Sequence, residues 1–361
     1  MKTVNHNELK EVLYTAYATK TSCFIWGTMG IGKSETIKTV AEDIGNFNKL
    51  KFVEGEGDEK SFGFIDVRIS QLEPSDLRGL PSFEGGKTKW LPPNWLPSNS
   101  KSHGILFLDE INLAPPSIQA AAYQLILDRK IGEYKLPDGW NIVAAGNTTD
   151  DRANIYDLSA PLSNRFIHIT LRVPTKEEWS KWALNKGLDG AIVSFLEFKP
   201  QFLYKFDSKM KDKAFPTPRS WFFVDRLLKS KVNQSEEMNE ILIASAVGEG
   251  VAIEYVAFLK LKKQIKIDQI LKNPQEAGKL KELDLKYSLI GGLVEKYRGD
   301  KKTLEPITCV CEYLEPEFAI LLLRMMKDTR MDFVECLVKC PKWKVLSQRY
   351  SKYIYDFDSE E

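Results

Sequence analysis

Gly27-Thr28-Met29-Gly30-Ile31-Gly32-Lys33-Ser34 decides the fold of this chain. Its spacing is G-x-x-x-x-G-K-[ST]. An apolar stretch, Ser22-Cys23-Phe24-Ile25-Trp26, runs into it and reads as a strand. Residues 35–44 (ETIKTVAEDI) follow it and read as a helix. Three glycines let backbone N–H groups close around phosphate oxygens, and the helix N-terminus adds partial positive charge. In such a loop Thr28, Met29 and Ile31 bind through their backbone, Lys33 reaches the β- and γ-phosphates, and the Ser34 hydroxyl ligates Mg²⁺.

A second segment fits the first. Residues 104–112 (GILFLDEIN) form a continuous apolar run that ends in two carboxylates. Runs of this kind are parallel strands with both faces covered. A carboxylate at a strand's C-terminal end, beside a phosphate loop, can hold Mg²⁺, so Asp109 is the candidate metal residue. The next carboxylate points differently and can take the proton of an attacking water, so Glu110 is the candidate base. Asn147 follows another buried run, residues 141–146 (NIVAAG), and could hydrogen-bond that water. Arg165 precedes the run 166–173 (FIHITLRV), where a guanidinium would stabilise charge on a transferring phosphoryl group. Arg219 begins a helix after Thr217-Pro218 and could touch the γ-phosphate from a lid.

Strand runs alternate with helical periods up to Val173, which means α/β with a mainly parallel sheet. Residues 64–70 read as a further strand and residues 117–128 as a helix. Residues 74–81 (PSDLRGLP) read as turns. Residues 83–97, with Trp90 and Trp95, read as an exposed hairpin or loop, and residues 129–140 as a small hairpin. After Pro174 the pattern is helical, with predicted helices over 176–185, 191–198, 219–229 and 236–261. It continues to the region of Ile354. The expected division is therefore an α/β nucleotide-binding core over 1–173, an all-α lid over 174–262 and a helical C-terminal region over 263–361.

Composition narrows the function. Of 361 residues 43% are apolar, enough for a real core, and 51 basic against 50 acidic side chains leave a net charge of +1. That balance argues against bulk nucleic-acid binding and leaves room for a local basic patch. The N-terminus has no apolar signal core, and no apolar run is long enough to cross a bilayer. A cytoplasmic protein is expected. Four of the five cysteines form C-x-C and C-x₃-C pairs that do not have zinc-ribbon spacing, and they read as buried thiols.

In order, the chain presents a phosphate loop, an acidic strand end, a polar strand end, an arginine before a strand and an arginine in a helical region. This series resembles the AAA+ ATPases. Residues 66–81, 104–140 and 144–166 resemble the MoxR-like branch most closely. The resemblance covers residues 20–225 and implies an AAA+ P-loop NTPase core. It makes Gly27 to Ser34 Walker A, Asp109 and Glu110 Walker B, Asn147 sensor 1, Arg165 the arginine finger and Arg219 sensor 2. It makes 129–140 the pre-sensor-1 insertion and places 83–97 where relatives carry the helix-2 insertion. Met29 stands where relatives often have Pro. The resemblance further implies ATP and Mg²⁺ as ligands, a homo-oligomeric ring, a hexamer, and a protein client, sometimes with a von Willebrand factor A domain. Two alternatives stay open: a GTP-using motor on nucleic acid, since residues 146–152 are similar to those of restriction motors, and a nucleotide-dependent scaffold.

Overall fold

The structure, a computed structural model, describes residues 2–148, 156–207, 212–230, 232, 235–344, 346–348 and 350. Residues 149–152 of the stretch similar to restriction motors, and the last turns of the C-terminal helical pattern, lie outside the described residues. The chain forms two compact units, Met1–Val173 and Pro174–Glu361.

The first unit contains β1 (Thr3–Val4), α1 (His6–Thr19), β2 (Cys23–Trp26), α2 (Lys33–Phe47), β3 (Lys51–Glu54), β4 (Ser61–Arg68), α3 (Pro74–Arg78), β5 (Leu80–Glu84), β6 (Lys87–Leu91), β7 (His103–Asp109), α4 (Pro116–Asp128), β8 (Lys130–Ile131), β9 (Tyr134–Lys135), β10 (Gly139–Gly146), α5 (Ala160–Ser163) and β11 (Ile167–Leu171). Seven strands make one parallel sheet in the order β1-β11-β2-β10-β7-β4-β3. The central strands β2, β10 and β7 are the most apolar ones, because both of their faces are covered. Phe24, Leu106, Leu108, Ile142 and Ala144 pack with Ile118 and Leu125 of α4 on one face of the sheet. Each of the larger side chains among them contributes about 1.5–3 kcal/mol of burial.

The order matters more than the count. β10 lies between β2 and β7, although β2 and β7 precede it in sequence. The loops leaving these three neighbours carry Gly27 to Ser34, Asn147, and Asp109 with Glu110. Parallel strands put all three loops at one end of the sheet, where α/β folds bind their ligands.

Several elements differ from the sequence expectation. Residues 74–81 are not only turn: Pro74–Arg78 is a short helix, started by Pro at its first position. The hairpin expected over 129–140 closes early, at Lys135. Trp140 belongs to β10, is fully buried and donates to Ser102 Oγ at 2.8 Å. The exposed hairpin is β5 with β6, which begins at Leu80 and ends at Leu91. The strand expected over 64–70 is β4, which begins at Ser61 and ends at Arg68. The short edge strands β1 and β3 have too few residues to show a pattern.

The second unit is helical: α6 (Lys176–Asn185), α7 (Gly190–Phe198), α8 (Pro218–Leu228), α9 (Glu236–Val247), α10 (Glu249–Gln264), α11 (Ile267–Lys272), α12 (Leu283–Gly299), α13 (Leu304–Cys311), α14 (Pro316–Lys327) and α15 (Phe333–Lys339). The single helix expected over 236–261 is broken at Gly248. Its φ of 89° is one that side-chain-bearing residues avoid, and a Cβ there would lie 2.9 Å from the Ala214 carbonyl oxygen. One hydrophobic core joins Trp179, Phe195, Tyr255, Leu293, Leu322 and Phe333, so helices from both ends of the unit share it. All five cysteines are free thiols; Cys23, Cys311 and Cys340 are buried, and Cys309 and Cys336 partly so. Among the described residues, no three His, Cys, Asp or Glu side chains gather as a metal cluster, and no helix is long and apolar enough to cross a membrane.

Candidate active site

β2 ends at Trp26, and the chain turns through the glycine loop into α2. Gly30 and Gly32 have φ of 74° and 98°, values that let successive N–H groups face one concavity. α2 begins at Lys33, so the loop meets a helix N-terminus. Lys33 is buried. Its Nζ donates to the carbonyl oxygens of Gly27 at 2.5 Å and Thr28 at 3.0 Å, and to Asn147 Oδ1 at 3.0 Å. The ammonium group thus bridges the end of β2 and the end of β10. Ser34 Oγ donates to Asp109 Oδ2 at 3.3 Å, which links the loop to the end of β7.

The two carboxylates diverge, for a backbone reason. Asp109 finishes β7 in extended geometry. Glu110 has φ 57° and ψ 30°, the left-handed region, an uncommon conformation for a residue with a side chain. Asp109 Oδ1 accepts the Glu110 N–H at 2.9 Å, whereas Glu110 Oε2 accepts from Ser70 Oγ at 2.7 Å. One acid therefore faces Ser34 and the other faces the segment after β4. Burial raises the Asp109 carboxyl above the usual range; the hydrogen bond from the Glu110 N–H opposes the rise, the Glu110 charge adds to it, and Lys33 and the Ser34 hydroxyl oppose it further.

Asn147 is fixed by a residue that the motif reading passed over. Asn112, fully buried, donates from Nδ2 to the Asn147 carbonyl at 2.8 Å and accepts the Asn147 N–H at 3.1 Å through Oδ1. Gly146 permits this approach, because a Cβ there would stand 2.5 Å from Asn112 Oδ1. Ser70 and His6 were likewise not foreseen. His6 Nε2 lies 2.8 Å from the Ile31 carbonyl oxygen and steadies the loop from α1. None of the three carried a specific signal: Asn112 stands two residues after Glu110, where a polar turn residue is ordinary.

Arg165 stands at the exposed turn between α5 and β11, flanked by buried Leu162 and Phe166. Arg219 is exposed in the first turn of α8, in the second unit. The structure thus brings together Gly27 to Ser34, Asp109 and Asn147, sets Glu110 beside them on Ser70, and holds Arg165 in the same unit.

Asp66 lies on the same sheet face as Asp109, in strand β4 next to β7. Burial, then the charge of Asp109, raises its carboxyl to about 6 from 3.8, while Arg68 opposes the rise. The folded protein therefore holds this proton more tightly than the unfolded chain, and stability is lost as pH climbs from about 4 to about 6. Solvent reaches the side chain, which limits the effect. Asp66→Asn should raise the Tm of nucleotide-free protein above pH 6 and leave it unchanged below pH 4, read by thermal melts across that range. An equal gain at both ends would contradict the assignment.

Residues 22–166 match the AAA domain (dynein-related subfamily). No curated protein matches the chain significantly. Among solved structures, NtrX from Brucella abortus is 12% identical, with 98% of this chain and 69% of that one covered and a TM-score of 0.36. A DNA polymerase III gamma subunit-related protein from Thermotoga maritima is 13% identical, with 90% and 83% covered and a TM-score of 0.29. PCH-2 from C. elegans is 11% identical, with 70% and 67% covered and a TM-score of 0.33. The matched residues span β2 to the turn holding Arg165, and the chain therefore carries an AAA domain, built on a seven-stranded parallel sheet and followed by a helical C-terminal region.

Proposed function

We propose that this chain is an ATP-hydrolysing AAA+ motor of the MoxR-like kind, acting as a homo-oligomeric ring, a hexamer, that remodels or activates a protein partner. The observation that carries the reading is the convergence of Lys33, Ser34, Asp109 and Asn147 at three adjacent strand ends. The donor sets fit the expected ligands. The glycine loop and Lys33 suit a polyphosphate, and a hydroxyl with a carboxylate suits Mg²⁺, a hard cation that prefers oxygen. When bound, Mg²⁺ neutralises charge on phosphate oxygens.

The residues then divide the work. Lys33 supplies a point charge to the phosphates, and Ser34 and Asp109 hold the metal. Glu110 takes a proton from the attacking water, and the Ser70 hydroxyl fixes its carboxylate. Asn147 orients that water, with its backbone clamped by Asn112. Arg165, exposed at its turn, serves the nucleotide of an adjoining subunit. Arg219 contacts the γ-phosphate from the helical lid. The β5–β6 hairpin supports a client-facing role: Phe83, 86% exposed, shares one face with exposed Trp90, and exposed Leu80 and Leu91 lie on the other, so both faces of the hairpin offer apolar side chains. A partner with a von Willebrand factor A domain would be a separate chain.

The test is turnover per subunit against protein concentration. ATP hydrolysis should fall steeply once dilution separates the subunits, and full-rate hydrolysis by a monomer would refute the ring. Lys33→Ala should weaken ATP binding about 10²-fold, the worth of charged hydrogen bonds at about 1.5–3 kcal/mol. Unchanged affinity in a fluorescent-nucleotide titration would remove Lys33 from its role. GTP preference with DNA-stimulated turnover would replace the protein-remodelling reading by that of a nucleic-acid motor.

A further inference from the structure

The first unit contains a hydrogen-bond chain that this chemistry leaves unused. Trp26 is the last residue of β2, immediately before Gly27. Its indole N–H donates to His168 Nδ1 at 3.0 Å. An indole nitrogen can only donate, so Nδ1 of His168 carries the lone pair and the ring proton is on Nε2. That Nε2 stands 2.7 Å from the Ser163 carbonyl oxygen, to which it donates, and 3.1 Å from Ser163 Oγ. Ser163 ends α5, two residues before Arg165.

The surroundings fix both ends of this chain. In the parallel pairing of β11 with β2, His168 is opposite Phe24 and Thr170 is opposite Trp26, which sets His168 diagonal to Trp26 on one face. Phe24 lies 4.3 Å from Trp26, 5.5 Å from Phe166 and 5.7 Å from His168, ring centre to ring centre. Backbone bonds of 3.1 Å from Arg165 N–H to the Leu162 carbonyl and 3.2 Å from Phe166 N–H to the Ser163 carbonyl close the turn. An apolar ring would fill this space equally well. What histidine adds is a donor and an acceptor facing opposite ways, one toward the strand entering the phosphate loop and one toward the turn that presents Arg165.

We propose that His168, with its tautomer set by Trp26, is the positioning residue for Arg165. It ties the 163–165 turn to the phosphate-loop strand of its own subunit, so that the guanidinium is aimed at a neighbour's nucleotide. This rests on the reading of Arg165 as an arginine acting across a subunit interface.

Mixed assemblies test it. Lys33→Ala subunits have a dead pocket and an intact Arg165; Arg165→Ala subunits have the reverse, so hydrolysis by the mixture reports arginines supplied in trans. Adding His168→Phe to the Lys33→Ala subunit should lower kcat of the mixture about 10–10²-fold, the cost of misplacing a catalytic group by about 1 Å. KM for ATP should stay unchanged, because the working pocket is untouched. The same substitution in the Arg165→Ala subunit should have little effect. His168→Gln, which keeps a donor and an acceptor, should recover most of the loss, and Trp26→Phe in the Lys33→Ala subunit should reproduce part of it.

Equal rescue by Lys33→Ala subunits with and without His168→Phe, in mixed rings confirmed by native mass spectrometry, overturns the proposal. Should His168→Phe fail to fold, Trp26→Phe and the wild-type ring decide. Nitrogen-15 NMR should show His168 protonated on Nε2; a proton on Nδ1, or full rescue with Trp26→Phe, overturns it. If Lys33→Ala subunits with native His168 rescue nothing, the reading of Arg165 has failed first, and that control contains no His168 variant.

Discussion

Arg165→Ala should lower ATP turnover about 10³–10⁵-fold while leaving the fold intact. The guanidinium is exposed, and replacing an exposed side chain changes stability by only about 0.5 kcal/mol. The loss should therefore appear in kcat, with Tm and ATP affinity close to those of the parent protein. Subunits carrying Arg165→Ala should regain turnover when mixed with Lys33→Ala subunits, because each kind supplies what the other lacks. A loss confined to affinity would place Arg165 in substrate binding, and unchanged turnover would remove it from the chemistry.

Glu110→Gln should lower kcat about 10²–10⁴-fold, the usual worth of a general base. The amide keeps the size of the side chain and can still accept from Ser70 Oγ, which donates to Glu110 Oε2 at 2.7 Å. ATP should bind with unchanged affinity and persist, so the variant should accumulate as an ATP-loaded assembly. Single-turnover quench with labelled ATP measures the chemical step directly. A normal rate there would take Glu110 out of its assigned role and leave its left-handed backbone a purely local feature.

What could be read from the chain, and what could not, follows from how the information is stored. The glycine loop was legible because its chemistry lies within eight consecutive residues, Gly27 to Ser34, with a strand before and a helix after. Asp109 and Glu110 were legible because a buried strand announces its own end. Asn147 could be ranked only through the order of strands, and the sheet does place β10 between β2 and β7. Ser70 meets Glu110 across 40 residues, and Trp26 meets His168 across 142, so nothing in either local sequence marks the pair. Asn112 was hidden for a different reason: an asparagine in a turn after a strand is ordinary, and its grip on Asn147 exists only because Gly146 lacks a side chain. Helical periodicity ran through Gly248 without a gap in its apolar pattern, and the break was set by backbone geometry instead.

The crossing of α7 and α12 has a mechanical consequence. Gly190 and Gly291 meet there so closely that a Cβ on Gly190 would lie 2.9 Å from the Gly291 carbonyl oxygen, and one on Gly291 would lie 2.8 Å from that of Gly190. Two backbones in such contact have no compressible layer between them. The two helices therefore behave at this crossing as one piece, and a side chain added at either glycine should force them apart.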